Sequence, residues 1–168
     1  MKGLPDFLAP ELRLVFVGLN PGTTSARRQQ YYAGPGNRFW PALSQSGILT
    51  RTVGPGDEAF LLECGIGLTD VVERSSDSIA ELGAAEWREG AELLREKIAR
   101  CAPRVVAFVG LRGARAVLGR DAVVGVSDQR LEGARVFVLP STSGLNTRWT
   151  TAAIEAEFRA LAKALIRP

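Results

Sequence analysis

The chain is expected to fold as one α/β domain, a mainly parallel sheet covered by helices on both faces. Three features carry that expectation. Residues 12–17 (Leu-Arg-Leu-Val-Phe-Val) and 104–109 (Arg-Val-Val-Ala-Phe-Val) are short, nearly unbroken apolar runs, the pattern of strands buried on both faces. Between them, Trp87, Ala91, Leu94, Ile98 and Cys101 recur at steps of four and three, which aligns them in one stripe along a helix. Strand-like and helix-like segments alternate along the chain, the order that builds a parallel sheet with crossover helices. At 168 residues the chain is the right size for a single domain, 1–168, with a substantial core.

The elements follow in order. The first strand ends at Gly18, and Pro21 and Gly22 turn the chain into a polar loop, 18–36. Asn37 is placed to cap a helix through Phe39, Trp40, Leu43 and Ser44 to Gly47, with Pro41 in the first turn, where proline is tolerated. Gly54-Pro-Gly56 is a turn, and Asp57 caps a short helix, 58–63, that closes near Gly65. Residues 66–72 form a second strand running into the polar segment 73–78. The striped helix stops at Pro103, the third strand follows, and a short helix runs from Gly110 to Gly119. Residues 123–126 read as a small strand, and 129–131 and 134–139 flank a tight turn at Glu132-Gly133. After the small polar loop 140–146, a last helix, 151–166, sets Ile154, Phe158, Leu161 and Leu165 on one face. There is no internal repeat.

Composition narrows the function. With 46% hydrophobic and 23% charged residues the chain is of globular type, and no apolar run approaches the ~20 residues of a membrane span. The N-terminal stretch has a positive charge but no long apolar segment, so it does not read as a secretion signal, and a cytoplasmic monomer is expected. Cys64 and Cys101 stand far apart, without a CxxC pair and without any histidine, which argues against a zinc or iron–sulfur ligand set. The absence of histidine also removes Ser-His-Asp and Cys-His mechanisms. Catalysis would have to use Asp, Glu, Lys, Tyr, an amide or a positioned water. The net charge of +3 permits a polyanionic partner.

In folds of this type ligands bind beyond the carboxyl ends of the strands, which selects the loops 18–36, 69–78 and 140–146. The first matches neither the Walker nor the dinucleotide glycine pattern. It does gather Asn20, Thr23, Thr24 and Ser25, whose amide, hydroxyls and backbone N–H groups suit an anionic or heterocyclic ligand; an ordinary glycine-bounded turn is the plain alternative. Tyr31 and Tyr32 are adjacent in an extended segment and point different ways, so at most one faces a ligand, where it would stack on a base. Arg27, Arg28 and Arg148 are candidate phosphate contacts or simply solvated charges. Leu145, isolated in a polar loop, is either an inward staple or an exposed apolar wedge.

Gly18-Leu-Asn-Pro-Gly22, Ser25-Ala26, Gly36-Asn-Arg-Phe-Trp40 and Leu139-Pro-Ser-Thr-Ser-Gly-Leu-Asn146 together resemble the mismatch-specific uracil/thymine-DNA glycosylase family, part of the uracil-DNA glycosylase superfamily. Bacterial members carry Gly-Ile-Asn-Pro-Gly, Asn-Arg-Phe-Trp and Asn-Pro-Ser-Gly-Leu-Ser in the same order. The resemblance runs from about residue 9 to the last helix. It implies a uracil-DNA glycosylase-like three-layer fold and a monofunctional enzyme that flips uracil out of double-stranded DNA and hydrolyses its glycosidic bond. The substrate would be uracil preferably opposite guanine, with G·T or single-stranded uracil as further substrates, and the product an abasic site for base-excision repair. A DNA-damage binding protein that keeps the fold without turnover is the alternative.

The resemblance also assigns roles. Asn20 would position the attacking water. Gly18, Leu19, Ser25 and Tyr32 would form the base pocket, with Tyr32 where similar enzymes stack a phenylalanine on the flipped base. Ser143, Gly144, Leu145 and Asn146 would supply the wedge and the contacts to the widowed guanine. No metal or redox cofactor is required, and without a placed lysine nucleophile no Schiff-base step is expected. Three departures stand out. Ser141-Thr142 replaces Asn-Pro, Asn146 replaces the last serine, and Asp70 stands where relatives carry lysine or asparagine. Asp70 is either a cap or surface turn, or a second catalytic group facing the same pocket, as general base or as a stabiliser of positive charge on the sugar.

Overall fold

The computed structural model describes residues 3–168; Met1 and Lys2, part of the stretch read above for a secretion signal, lie outside the described residues. Five strands form one sheet in the order β2-β1-β3-β5-β4. β1 (Leu14–Gly18) lies between β2 (Ile66–Asp70) and β3 (Val105–Val109), and all three are parallel. β5 (Ala134–Leu139) continues the parallel set, and β4 (Gly125–Leu131) closes the far edge antiparallel to it. This is the expected fold class.

Successive residues of the central strands feed opposite faces, as a period of two requires. Leu14, Phe16, Ala107 and Phe137 enter one apolar layer with Phe39, Leu43 and Phe158. Val15, Val17, Val106 and Val138 enter the other with Leu94, Ile98 and Ala114. The first layer is covered by α2 (Phe39–Gln45), α3 (Glu58–Glu63) and α6 (Thr151–Ile166), the second by α4 (Ala84–Cys101) and α5 (Leu111–Leu118). Within α4 the stripe is graded: Leu94, Ile98 and Cys101 are buried, while Trp87 and Ala91 are half-buried against the same layer. No helix among the described residues is long and apolar enough to cross a membrane.

Several local expectations change. The loop 18–36 contains a six-residue helix, α1 (Thr23–Arg28), ended by Gln29 in the left-handed region; its Thr-Thr-Ser start and lack of an apolar stripe hid it. The two segments 123–126 and 129–131 are one strand, β4, interrupted by a register shift between Val126 and Arg130, and such a bulge breaks the alternation a reader looks for. Asp57 precedes α3 as expected but does not cap it through its side chain. Its carboxylate accepts from Gly54 N at 2.9 Å and pairs with Arg51 instead. Nor is Asn37 the cap of α2: that position is Arg38, without a side-chain cap bond, and Asn37, one residue earlier, accepts from Phe39 N at 3.0 Å. The Glu132-Gly133 turn has both residues at positive φ, as a two-residue hairpin favours.

Candidate active site

The carboxyl ends of β1, β2, β3 and β5 open into one cavity of about 910 Å³. All three loops selected from the sequence line it, joined by the start of α5. Leu19, Asn20, Ser25 and Tyr32 come from the first loop, Asp70 from the second, and Ser143, Leu145, Asn146 and Arg148 from the third. Arg27 and Arg28 are not among the lining residues; they sit exposed in the last turn of α1. Any phosphate they meet lies outside the cavity.

Gly18 ends β1 beside Asp70, which ends β2; the two are register partners, and of the pair Asp70 lines the cavity while Gly18 does not. A methyl group on Gly18 would meet Asp70 Oδ1 at 2.2 Å and Tyr32 Oη at 3.0 Å. Only glycine leaves room for carboxyl and phenol to converge there. Asp70 is 7% exposed, so it is neither a surface turn nor a helix cap. Its oxygens take no hydrogen bond among the described residues. Burial pushes its carboxyl up to about 8, with the Asp6 charge adding to the rise and Lys97 opposing it. Behind it, Asp6 accepts from Thr69 Oγ1 at 2.6 Å, and Lys97 bridges Asp6 and Glu73 at 2.8 Å each.

The tyrosine pair divides as expected. Tyr31 is core: 2% exposed, its hydroxyl donates to Pro5 O and its N–H to the buried Glu58. Tyr32 has φ 51°, which rotates it away from its neighbour. Its ring stacks on Phe39 with centroids 3.9 Å apart, so one face is occupied and at most the other can meet a base. Tyr32 Oη is sealed from solvent without a partner among the described residues. Burial and then the Asp70 charge hold the phenol well above its usual range.

Asn20 and Ser25 are tied down by the loops around them. Asn20 Nδ2 donates to Ser76 Oγ at 2.8 Å and to Arg74 O at 3.1 Å. Thr23 Oγ1 donates to Asp77 and Ser76 N to Pro21 O, so the segment after β2 is latched onto the segment after β1. Ser25 is 6% exposed and its Oγ accepts from Ala33 N at 3.0 Å. It closes the loop behind α1, and its hydroxyl proton is what it has left for a ligand.

The third loop is built to hold Leu145 outward, 89% exposed. Ser143 Oγ accepts from Leu145 N, and Ser143 O from Asn146 N. Asn146 spends its side chain on the loop itself: Nδ2 donates to Ser141 O at 2.8 Å and Oδ1 accepts from Arg148 N. Gly144 packs against the first loop, where a methyl group would approach Pro35 O at 2.8 Å and Gly36 O at 3.1 Å.

Two residues gain significance that sequence reasoning did not give them. Arg38 donates through its guanidinium to the carbonyls of Ser143, Asn146 and Trp149, each at 2.9 Å, and through its backbone N–H to Thr142 O. One half-buried cation thus gathers the wedge loop. The Asn-Arg-Phe-Trp motif contained this signal, but carbonyl partners leave no trace in side-chain pattern. Arg112, at the start of α5, lines the cavity and adds a second cation to Arg148. Among the described residues no group of three or more His, Cys, Asp or Glu side chains is arranged to hold a metal ion.

A chain of this architecture has solved counterparts. A solution NMR structure of "a putative Uracil DNA glycosylase" from Methanosarcina acetivorans superposes with a TM-score of 0.67 at 26% identity, covering 99% of this chain and 98% of that one. The family model for the uracil DNA glycosylase superfamily matches residues 5–166. By that match over nearly its whole length, the chain belongs to the uracil DNA glycosylase superfamily.

Proposed function

We propose that this chain is a monofunctional DNA glycosylase that extrudes uracil, preferably from G·U mismatches, and hydrolyses its N-glycosidic bond. The carrying observation is the convergence of Asn20, Asp70 and Tyr32 in one cavity at the strand ends, rimmed by a braced loop whose Leu145 is 89% exposed. A cavity at that depth is reached by a base only once it has left the duplex stack, and extrusion costs least at a mismatch. Leu145 enters the vacated stack. The flipped base lies in the pocket of Leu19, Ser25 and Tyr32, above Gly18.

The reaction breaks the C1′–N1 bond and forms a C1′–O bond to water. Charge develops as an oxocarbenium-like sugar and a departing uracil anion. Asn20 orients the water by hydrogen bonding, which an amide can do without taking its proton. The proton passes to Asp70 in its carboxylate form, and the same negative charge favours the sugar cation. Because burial holds that carboxyl up to about 8, the competent form grows as pH rises toward 8. Arg148 and Arg112 at the cavity rim favour the phosphodiester backbone.

The test is release of free uracil from oligonucleotides bearing G·U, A·U, G·T and single-stranded uracil. Release that is fastest from G·U supports the reading. Tight binding of abasic or mismatched duplex without any base release would replace it with a damage-binding role.

A further inference from the structure

We infer that Ser76 is a positioning residue that fixes which way the Asn20 amide faces, so that the cavity is offered its carbonyl oxygen and never its NH₂. The inference deepens the glycosylase reading and rests on it for its catalytic consequence. Its structural part stands on the hydrogen-bond directions alone.

Ser76 lies on the segment after β2, is 7% exposed, and is anchored by its N–H to Pro21 O at 3.1 Å. Its own hydroxyl donates to Ser78 O at 3.0 Å. A hydroxyl has one proton, so what Ser76 Oγ has left for Asn20 is a lone pair. The second partner, Arg74 O at 3.1 Å, and the weaker third, Pro21 O at 3.4 Å, are carbonyls and can only accept. Every group around this end of the amide is therefore an acceptor. With Nδ2 there, both sides of each contact match. With the amide turned over, Oδ1 would face three oxygens that have no proton to give, and a part-buried oxygen facing oxygens is unfavourable.

The chemical consequence concerns the water. A carbonyl oxygen accepts a hydrogen bond from water and so leaves the water's lone pairs pointing elsewhere. An N–H would bind the water through its oxygen and occupy the lone pair needed for attack. Ser76 and the Arg74 carbonyl thus set the sense of the water without touching it. The signal crosses from β2 to β1, since Ser76 is carried by one strand's loop and Asn20 by the other's.

The experiment compares wild type, S76A, N20A and the double variant on G·U duplex under single-turnover conditions. Uracil release by S76A is expected to fall about tenfold to a hundredfold, the scale of a misoriented reacting group, with duplex affinity within about twofold. In the N20A background the S76A change is expected to cost less than about twofold, because a residue acting through another adds nothing once that one is gone. An equal loss in both backgrounds overturns the inference. A readout free of catalysis accompanies it: in ¹⁵N-labelled protein, the Asn20 side-chain NH₂ is expected to exchange with water about tenfold faster in S76A than in wild type, as a lost hydrogen bond implies. Unchanged exchange also overturns it. Wild-type protein that releases no uracil would end the glycosylase reading, while the amide exchange still decides whether Ser76 holds Asn20.

Discussion

The buried carboxyl of Asp70 makes a sharp prediction about stability, independent of any substrate. In the folded chain it holds its proton up to about pH 8; in the unfolded chain it ionises near the ordinary aspartate value of 3.8. Between those limits the folded state binds one more proton than the unfolded state, so stability falls as pH rises across this window and levels off above it. A difference of about four units at roughly 1.4 kcal/mol each bounds the effect on the order of 5 kcal/mol. At 7% exposure solvent screening removes little of it. Asp70→Asn keeps the shape and removes the titration. Its advantage over wild type should be near zero at pH 4 and grow to several kcal/mol by pH 8. Urea denaturation at four pH values between 4 and 9 measures it, with m-values compared to confirm that the same transition is followed. Parallel curves for the two proteins would refute the argument, because they would mean that Asp70 is ionised in the folded chain. The same substitution should abolish the rise of uracil release with pH that the proposed mechanism requires, so the variant would be more stable and less active, a trade expected at a site built against its own stability.

Further tests follow from other parts of the site. Leu145→Ala should slow uracil release from duplex by about tenfold to a hundredfold, the scale of the lost stacking compensation, and leave single-stranded release within about twofold; equal losses on both substrates would remove Leu145 as a wedge. Arg38→Met withdraws three charge-assisted hydrogen bonds from the wedge loop and should cost on the order of 2–4 kcal/mol in thermal or urea denaturation, together with a selective loss on duplex. A stability change under about 0.5 kcal/mol would mean the loop holds its shape without the guanidinium. Tyr32→Phe deletes a buried hydroxyl that has no partner among the described residues, so stability should stay level or rise by up to about 1 kcal/mol; a clear loss would reveal a partner for Oη in solution.

What the sequence made legible divides along physical lines. β1 and β3 could be read because strands covered on both faces must be apolar throughout, and α4 because Leu94, Ile98 and Cys101 repeat with the helix. α1 could not, since six residues starting Thr-Thr-Ser have neither an apolar stripe nor high helix propensity. Within the site, Asn20, Asp70 and Leu145 stood out because an amide, a carboxyl and an isolated leucine are conspicuous in polar loops at strand ends. The bracing was invisible. Arg38 reaches carbonyls more than a hundred positions away, Ser25 and Asn146 brace their own loops as well as lining the cavity, and Ser76 acts by the direction of one proton. Residue type announces these groups' capacity to bond but not which partner tertiary folding supplies.

The missing side chain at Gly18 has a consequence for sequence variation. The carboxyl of Asp70 occupies the volume that a side chain at position 18 would take. The two positions therefore cannot drift independently, although a helix-rich span of chain separates them. A relative with alanine at 18 would be expected to carry a residue at 70 whose polar atoms end elsewhere, and a relative with a longer group at 70 would have to direct it away from β1. The pair behaves as one site with one choice, and a library that randomises both should recover function mainly where glycine is retained opposite the acid.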